Sequence, residues 1–420
     1  MYRIFSKMED FLQFLEECPT PYHFIAYSRR VLGENGFVEL KEKESFPDPL
    51  PEKAFLVRDE RSIIAFTQGG RQSVIGLCVH CDSPCFKLKP NYQQMVNNVP
   101  VIRLAMYGSG LWHTFCDHDL KVAGIVLIRE KDGKLIQKLI DSKQPIAIIP
   151  NPAIHQVYKQ STNPTFEPEN FNALAGNIQL KQYVASLLGI EENQIIDWDL
   201  RFVAAQPATS MNDIIFSDRL DNLSNCYAGL KAIIEPRENS KSTQIFAAFD
   251  NEEIGNSCRY GAKSDFLTVV LESLFKGTKY LSIKNNSLLL SCDNGHGTHP
   301  IYGSPSDQKN PCELGKGPVV KATTRSSLAT DSIGISILKL ASEKVGQNLQ
   351  VQIAPNNQSS GLTMGPVVQF KTGIRTVDFG CPMTSMHSIR ELINWKDVES
   401  ITELIKNIYM NYDDYRPKQY

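Results

Sequence analysis

The stretch that decides the fold runs from residue 220 to residue 292: it begins LDNLSNCYAGLKAII (220–234), continues through TQIFAAF (243–249) and ends SLLLSC (287–292). The first run carries apolar residues at helical spacing, whereas the other two are short, continuous apolar runs typical of strands covered on both faces. A second helical pattern, at 262–275, separates the two strands. This alternation predicts an α/β fold in which helices pack on both faces of a buried sheet.

The same alternation extends outward in both directions from this stretch. Further predicted strands are AFLV (54–57), SIIAF (62–66), SVIGLCV (73–79), LQVQIA (349–354) and IRTVDFG (374–380). Further predicted helices are a pair within 8–34, one at 330–344 and a final one at 395–411. The sequence therefore predicts a three-layer α/β/α domain.

The region from residue 91 to residue 211 lacks this alternation of helices and buried strands. Strand-like VIRLAM (101–106) and VAGIVLI (122–128) give way to a Pro/Asn-rich stretch, and an apolar helix follows near 181–189. A chain of 420 residues is also too long for one ordinary core. We therefore expect an α/β domain formed by residues 1–90 and 212–420, with a strand-rich domain, residues 91–211, inserted into it.

Composition excludes several classes of protein. The net charge of −2 provides no general excess of Lys and Arg for binding nucleic acid. The sequence has no apolar run long enough to span a bilayer, and its first residues do not resemble a secretory signal. The ten cysteines lie mostly in apolar contexts, which favours free thiols. We expect a cytoplasmic protein with no membrane and no nucleic-acid partner.

Histidine and acidic residues follow four of the predicted strands. These residues are His80, the pair Glu252-Glu253, Asp293 and His387. Asp221 joins them from the start of the helix at 220–234. Ligands in α/β sheets gather beyond the carboxyl ends of the strands, so we expect these side chains to meet there.

These residue types suit a pair of zinc-like ions. Each ion takes about four imidazole or carboxylate ligands, and a short Asp can bridge the two. A hydroxide between ions about 3.5–4 Å apart is a strong nucleophile at neutral pH. Asp82 can orient His80 by accepting a hydrogen bond from the ring nitrogen that does not bind metal. In the pair Glu252-Glu253, one carboxylate can bind metal while the other takes a proton from the attacking water. Singly, such residues are more often structural or solvated, but their joint occurrence favours a site.

Five motifs carry a resemblance to a known family. They are His80-Cys81-Asp82-Ser83-Pro84, Arg219-Leu220-Asp221-Asn222, Asp250-Asn251-Glu252-Glu253-Ile254-Gly255, His296-Gly297-Thr298-His299-Pro300 and Met386-His387-Ser388-Ile389-Arg390-Glu391. In these motifs the chain resembles the aspartyl aminopeptidase family of dizinc metallopeptidases. The resemblance implies a zinc-peptidase-like catalytic domain, an inserted dimerisation domain and a tetrahedral dodecamer built from dimers.

The resemblance also implies a role for each residue. His80 and Asp293 would bind one zinc ion, Glu253 and His387 the other, with Asp221 bridging them. Glu252 would be the general base. His296 and Met386 would lie near the substrate, and His155 would reach a neighbouring subunit's site from the insertion.

The chain departs from the family in its substrate pocket. The lysine that helps to hold an acidic substrate side chain is present as Lys321, but Ser327 and Leu328 replace an expected arginine and tyrosine. The expected activity is hydrolysis of the N-terminal residue of peptides that have a free N-terminus. Asp or Glu is the favoured residue, with a strength of preference that the sequence leaves open.

Alternatives differ in their chemistry. The same two-metal site could cleave the amide of a small N-acylated amino acid. A non-catalytic assembly protein that retained the fold would be expected to lose a ligand or the base, and this sequence retains them all. Mn²⁺ and Co²⁺ also suit a site of histidine and carboxylate, so the residues do not select zinc alone.

Overall fold

The computed structural model describes residues 7–70, 72–153, 155, 169, 171–235, 240–275, 280–303, 306–357 and 361–417. The α-helices of the described residues are α1 (Lys7–Glu17), α2 (Pro21–Glu34), α3 (Leu180–Leu188), α4 (Leu220–Ile234), α5 (Phe266–Leu274), α6 (Tyr280–Asn285), α7 (Ser332–Lys344), α8 (Gly365–Thr372) and α9 (Trp395–Tyr415). Among these helices, none combines the length and the apolar character needed to cross a membrane.

The strands, in chain order, form three sheets. They are β1 (Val38–Leu40), β2 (Lys53–Arg58), β3 (Ser62–Thr67), β4 (Ser73–His80), β5 (Cys85–Val96), β6 (Val99–Tyr107), β7 (Asp119–Arg129), β8 (Leu135–Asp141), β9 (Ala147–Ile148), β10 (Asn172–Leu174), β11 (Ile195–Ala204), β12 (Thr209–Met211), β13 (Ile214–Ser217), β14 (Ser242–Phe249), β15 (Leu288–Cys292), β16 (Gly295–His296), β17 (Val319–Lys321), β18 (Gln350–Gln352), β19 (Arg375–Gly380), β20 (Pro382–Thr384) and β21 (Glu391–Asn394).

The largest sheet has nine strands in the order β1-β2-β3-β14-β4-β15-β19-β17-β18. Its four central strands, β14, β4, β15 and β19, run parallel to one another. Every residue of β4, β14 and β15 is buried, as their continuous apolar sequences predict for strands with both faces covered.

Two apolar cores cover the opposite faces of this sheet. Leu77 of β4 belongs to the core that includes residues of α1, α2, α4, α7 and α9, whereas its neighbour Cys78 belongs to the core that includes residues of α5, α6 and α8. Successive side chains of a strand point to opposite faces, so one strand contributes to both cores. The predicted three-layer α/β/α architecture is confirmed.

The second sheet has seven strands, β5 to β11, and a core of its own. Phe86, Leu104 and Phe202 pack there with helix α3. The strand-rich character predicted for this region is confirmed, although the predicted boundary after residue 90 falls inside β5. The division of the chain into two domains stays a prediction.

A third, five-stranded sheet was not predicted. Its strands β12, β13, β21, β20 and β16 have two to four residues each, too few for a period to be visible. His387 follows the predicted strand at 374–380 along the chain, but the short strand β20 of the third sheet intervenes. His387 lies in the connection between β20 and β21, so the third sheet carries it to the site.

Candidate metal centre

Three neighbouring parallel strands bring the first site residues together. Strand β4 lies between β14 and β15, and His80 at its end is in register with Phe249 at the end of β14. The loop after β14 carries Glu252 and Glu253, and Asp293 directly follows β15. Parallel strands end at the same edge of a sheet, which explains why residues distant in sequence meet here.

The carboxylate of Asp221, at the start of α4, lies between the two histidines. Its Oδ1 is 3.4 Å from Nε2 of His80, and its Oδ2 is 3.4 Å from Nε2 of His387. Each histidine also faces a second carboxylate: Asp293 Oδ1 lies 3.4 Å from His80 Nε2, and Glu253 Oε1 lies 3.3 Å from His387 Nε2. Asp221 is thus shared by two groups of three residues.

These separations are those of ligands around a common ion. Two ligand atoms of a tetrahedral zinc ion, each about 2.0–2.1 Å from the metal, lie about 3.3–3.4 Å apart. Within the described part of the chain, buried Asp221 Oδ1 and Glu253 Oε1 also lack a hydrogen-bond partner. Buried polar atoms are rarely left unpaired, so the arrangement fits two divalent cations.

The charges of the site favour cations as well. Burial raises the pKa of Glu253 to about 7, with Asp221 adding to the effect. Burial lowers the pKa of His387, but Asp221 and Glu253 more than offset this and raise it to about 12. The cluster of carboxylates therefore favours positive charge beside it, as a site for divalent cations requires.

Asp82 is buried behind His80 and contacts more of the site than was predicted. Its backbone carbonyl oxygen lies 3.0 Å from His80 Nδ1, whereas its carboxylate Oδ1 is 3.6 Å away. The carboxylate accepts hydrogen bonds instead from the backbone N–H groups of Glu252 and Glu253, both at 3.1 Å. The carbonyl can set the tautomer of His80, and the carboxylate positions the acidic loop.

Glu252 precedes Glu253 in the same loop. Its side chain lines the cavity beside the site, and its pKa is raised to about 8, chiefly by burial. Its neighbour Glu253 instead faces His387, with Oε1 3.3 Å from Nε2.

Glu391 ends the motif that begins at Met386, and the sequence alone assigns it no role. The side chain is buried, and its carboxylate accepts hydrogen bonds from the backbone N–H of Asp221 at 3.0 Å and of His387 at 2.6 Å. The position of this acidic residue, four places after His387, was the only sign in the sequence of a role beside that histidine. Its hydrogen bond to Asp221 could be seen only once the fold was known.

One cavity of about 890 Å³ is lined by both histidines of the site and by most of the predicted substrate residues. His296, Lys321, Met386, Ser327 and Leu328 all line it. The substitutions Ser327 and Leu328 therefore face the same space as Lys321. Lys321 itself is buried, with its Nζ 3.2 Å from Asp293 Oδ2.

His155 lies apart from these residues. It is exposed, and the cavity lining of the described chain does not include it. Its predicted contact with a neighbouring subunit stays a prediction.

With the fold and the site in place, comparison with known proteins identifies the class. Residues 14–409 match the family described as "Aminopeptidase I zinc metalloprotease (M18)". The chain belongs to the M18 aminopeptidase family and is a zinc metallo-aminopeptidase, a hydrolase.

Individual relatives are similar over almost their whole length. Aspartyl aminopeptidase 1 of Schizosaccharomyces pombe is 31% identical, over 97% of this chain and 96% of its own. A chain of the Ape4 and Nbr1 complex, solved by cryo-EM, matches with a TM-score of 0.93 and 30% identity, over 98% of this chain and 87% of that chain. The mApe1 dodecamer of S. cerevisiae matches with a TM-score of 0.86 and 25% identity, over 97% of both chains.

Proposed function

We propose that the protein removes N-terminal residues from peptides by means of two zinc ions, with Mn²⁺ or Co²⁺ as substitutes. In this proposal His80 and Asp293 hold one ion, and His387 and Glu253 hold the other. Asp221 would contact both ions. The observation that carries the proposal is the division of Asp221, whose two oxygens face different histidines at 3.4 Å each.

When bound, such a pair of ions activates a water molecule at neutral pH and polarises the peptide carbonyl. The chain supplies the proton transfer. A carboxylate oxygen of Glu252, in the cavity wall, takes the proton of the attacking water and delivers it to the departing amine. Hydrogen bonds from the backbone N–H groups of Glu252 and Glu253 to Asp82 anchor the loop that carries this base.

The preferred N-terminal residue is acidic, but with a weaker preference than the name of the S. pombe relative suggests. A substrate carboxylate that leaves water needs strong donors in the pocket. Lys321 is partly engaged by Asp293, while Ser327 and Leu328 provide at most one weak donor between them. We expect modest discrimination between acidic and neutral residues.

The assembly is a homo-oligomer, a dodecamer built from dimers. The similarity to the mApe1 dodecamer over 97% of both chains supports this. In this assembly residues 91–211 form the dimerisation domain, and His155 completes a neighbouring active site. A cytoplasmic location agrees with the ten cysteines, all of which are free thiols in the structure.

One assay tests the reaction. The zinc-loaded protein should hydrolyse an unblocked dipeptide such as Asp-Leu and leave its N-acetylated form and N-acetyl-aspartate intact. Removal of metal with a chelator should abolish hydrolysis, and zinc should restore it. Preferential cleavage of N-acetyl-aspartate would instead identify an amidohydrolase of small acylated amino acids.

A further inference from the structure

The seven-stranded sheet presents one of its faces to the metal centre. Along β11, Leu200 and Phe202 point into the sheet's own core, whereas Val203 points to the opposite face and packs with Cys85 and Tyr107. Tyr107 at the end of β6 is in register with Cys85 at the start of β5. These residues therefore form the part of the sheet that meets the catalytic domain.

The hydroxyl of Tyr107 reaches the carboxylate behind His80. Its oxygen lies 2.7 Å from Asp82 Oδ2 and 2.9 Å from Asn251 Oδ1, and the ring is largely buried. A phenol has one proton to donate, and an ionised carboxylate is the stronger acceptor. Asp82 Oδ2 therefore accepts two hydrogen bonds, one from Tyr107 and one from the backbone N–H of Glu253.

We infer that Tyr107 is a positioning residue through which the seven-stranded sheet sets the geometry of the metal centre. It holds the carboxylate of Asp82 in the rotation in which one oxygen binds the N–H of Glu252 and the other that of Glu253. Without the hydroxyl, Asp82 Oδ2 keeps only the N–H of Glu253 as a donor, and the loop that carries the base and one proposed ligand is held less firmly. This inference rests on the proposed function only for the roles of Glu252 and Glu253.

A buried arginine holds Tyr107 in place. The guanidinium carbon of Arg201, on β11, lies 4.6 Å from the centroid of the Tyr107 ring. Nη2 of Arg201 lies 3.6 Å from Asp250 Oδ1. Arg201 is 1% exposed, so its positive charge must be stabilised by the aromatic ring and by nearby carboxylates rather than by water. The hydroxyl and the ring thus have separate tasks, and a phenylalanine can replace the ring alone.

The test is Tyr107→Phe, with Tyr227→Phe as the matched control. Tyr227, on α4, also donates a hydrogen bond to a carboxylate, at 2.8 Å, but its acceptor is Asp10 Oδ2 on α1. In Tyr107→Phe we expect zinc affinity, measured by chelator competition, to fall about 10- to 100-fold. In the zinc-free protein, the backbone amides of residues 250–256 should exchange with deuterium faster. The control should leave both quantities near those of the wild type.

Kinetics provide a further readout. Because Tyr107 does not line the cavity, kcat should fall while KM stays within about twofold. A double variant, Tyr107→Phe with Asp82→Asn, should bind zinc no more weakly than Asp82→Asn alone, since the hydroxyl acts through Asp82.

Equal zinc affinity and equal exchange in Tyr107→Phe and Tyr227→Phe would overturn the inference, as would fully additive losses in the double variant. A wild-type protein that cleaves no peptide would refute the proposed function instead. Zinc affinity and amide exchange would still decide the role of Tyr107.

Discussion

Glu391 accepts a hydrogen bond of 3.0 Å from the backbone N–H of Asp221, the residue that both histidines of the site face. Its other oxygen accepts from the backbone of His387, which has a left-handed φ of 66°. A non-glycine residue in this conformation costs about 1–3 kcal/mol and persists only where its surroundings hold it. One buried carboxylate thus fixes the backbone at two proposed ligands.

Glu391→Gln should therefore weaken metal binding. A glutamine amide has one acceptor oxygen, so one of the two backbone N–H groups would face an NH₂ group and lose its partner, at a cost of about 1–3 kcal/mol. We expect zinc affinity to fall roughly 10- to 100-fold, and thermal unfolding to occur at a lower temperature. Glu34→Gln, at the exposed end of α2, is the control. Unchanged zinc affinity in Glu391→Gln would show that the backbone at Asp221 and His387 needs no such anchor.

Asp221→Asn should release both metal ions rather than one. The neutral amide is a weak ligand and leaves Nε2 of each histidine with a single carboxylate nearby. Metal content after gel filtration measures the result, with Asp213→Asn, in an exposed ion pair with Lys396, as the control. A variant that retained one ion per chain would contradict the bridging role.

Glu252→Gln should retain its metal ions and lose turnover. The glutamine keeps the shape of the side chain but cannot accept the proton of water, which is worth about 10²–10⁴-fold in kcat. Metal content and kcat should be measured on the same preparation. A near-normal rate would remove Glu252 from the mechanism, and loss of metal would exchange its role with that of Glu253.

The acidic preference should be limited. A missing hydrogen bond to a charged group is worth about 1.5–3 kcal/mol, or roughly 10- to 150-fold in discrimination. The measurement is kcat/KM for peptides of one length that begin with Asp, Glu, Asn or Leu. A preference for Asp over Asn greater than about a thousandfold would mean that other residues of the cavity, such as His296, have replaced the missing donors.

His155→Ala should lower activity without changing metal content, because the residue is expected to act on a neighbouring subunit's substrate. The activity of the wild type should also fall on dilution if dissociation removes a catalytic group. Light scattering at the assay concentration gives the oligomeric state. A fully active monomer would refute the shared site.

Much of the catalytic fold could be predicted because its signals are local. The strands SVIGLCV and TQIFAAF are buried on both faces, so nearly every residue of each is apolar and the pattern is visible without partners. Strand β5 was missed because Lys87, Lys89 and Gln94 interrupt any apolar run there. The third sheet was missed because its strands are too short to show a period.

The sequence by itself determined which residues could form a metal centre. Histidine and carboxylate side chains follow buried strands, and the order of residues along the chain is enough to show this. Only the tertiary structure decided how these residues are shared. The division of Asp221 between two histidines and the support from Tyr107 and Glu391 join elements that are distant in the sequence. Contacts between residues 25 to 170 positions apart depend on how the sheets pack, and no local pattern of residues encodes that packing.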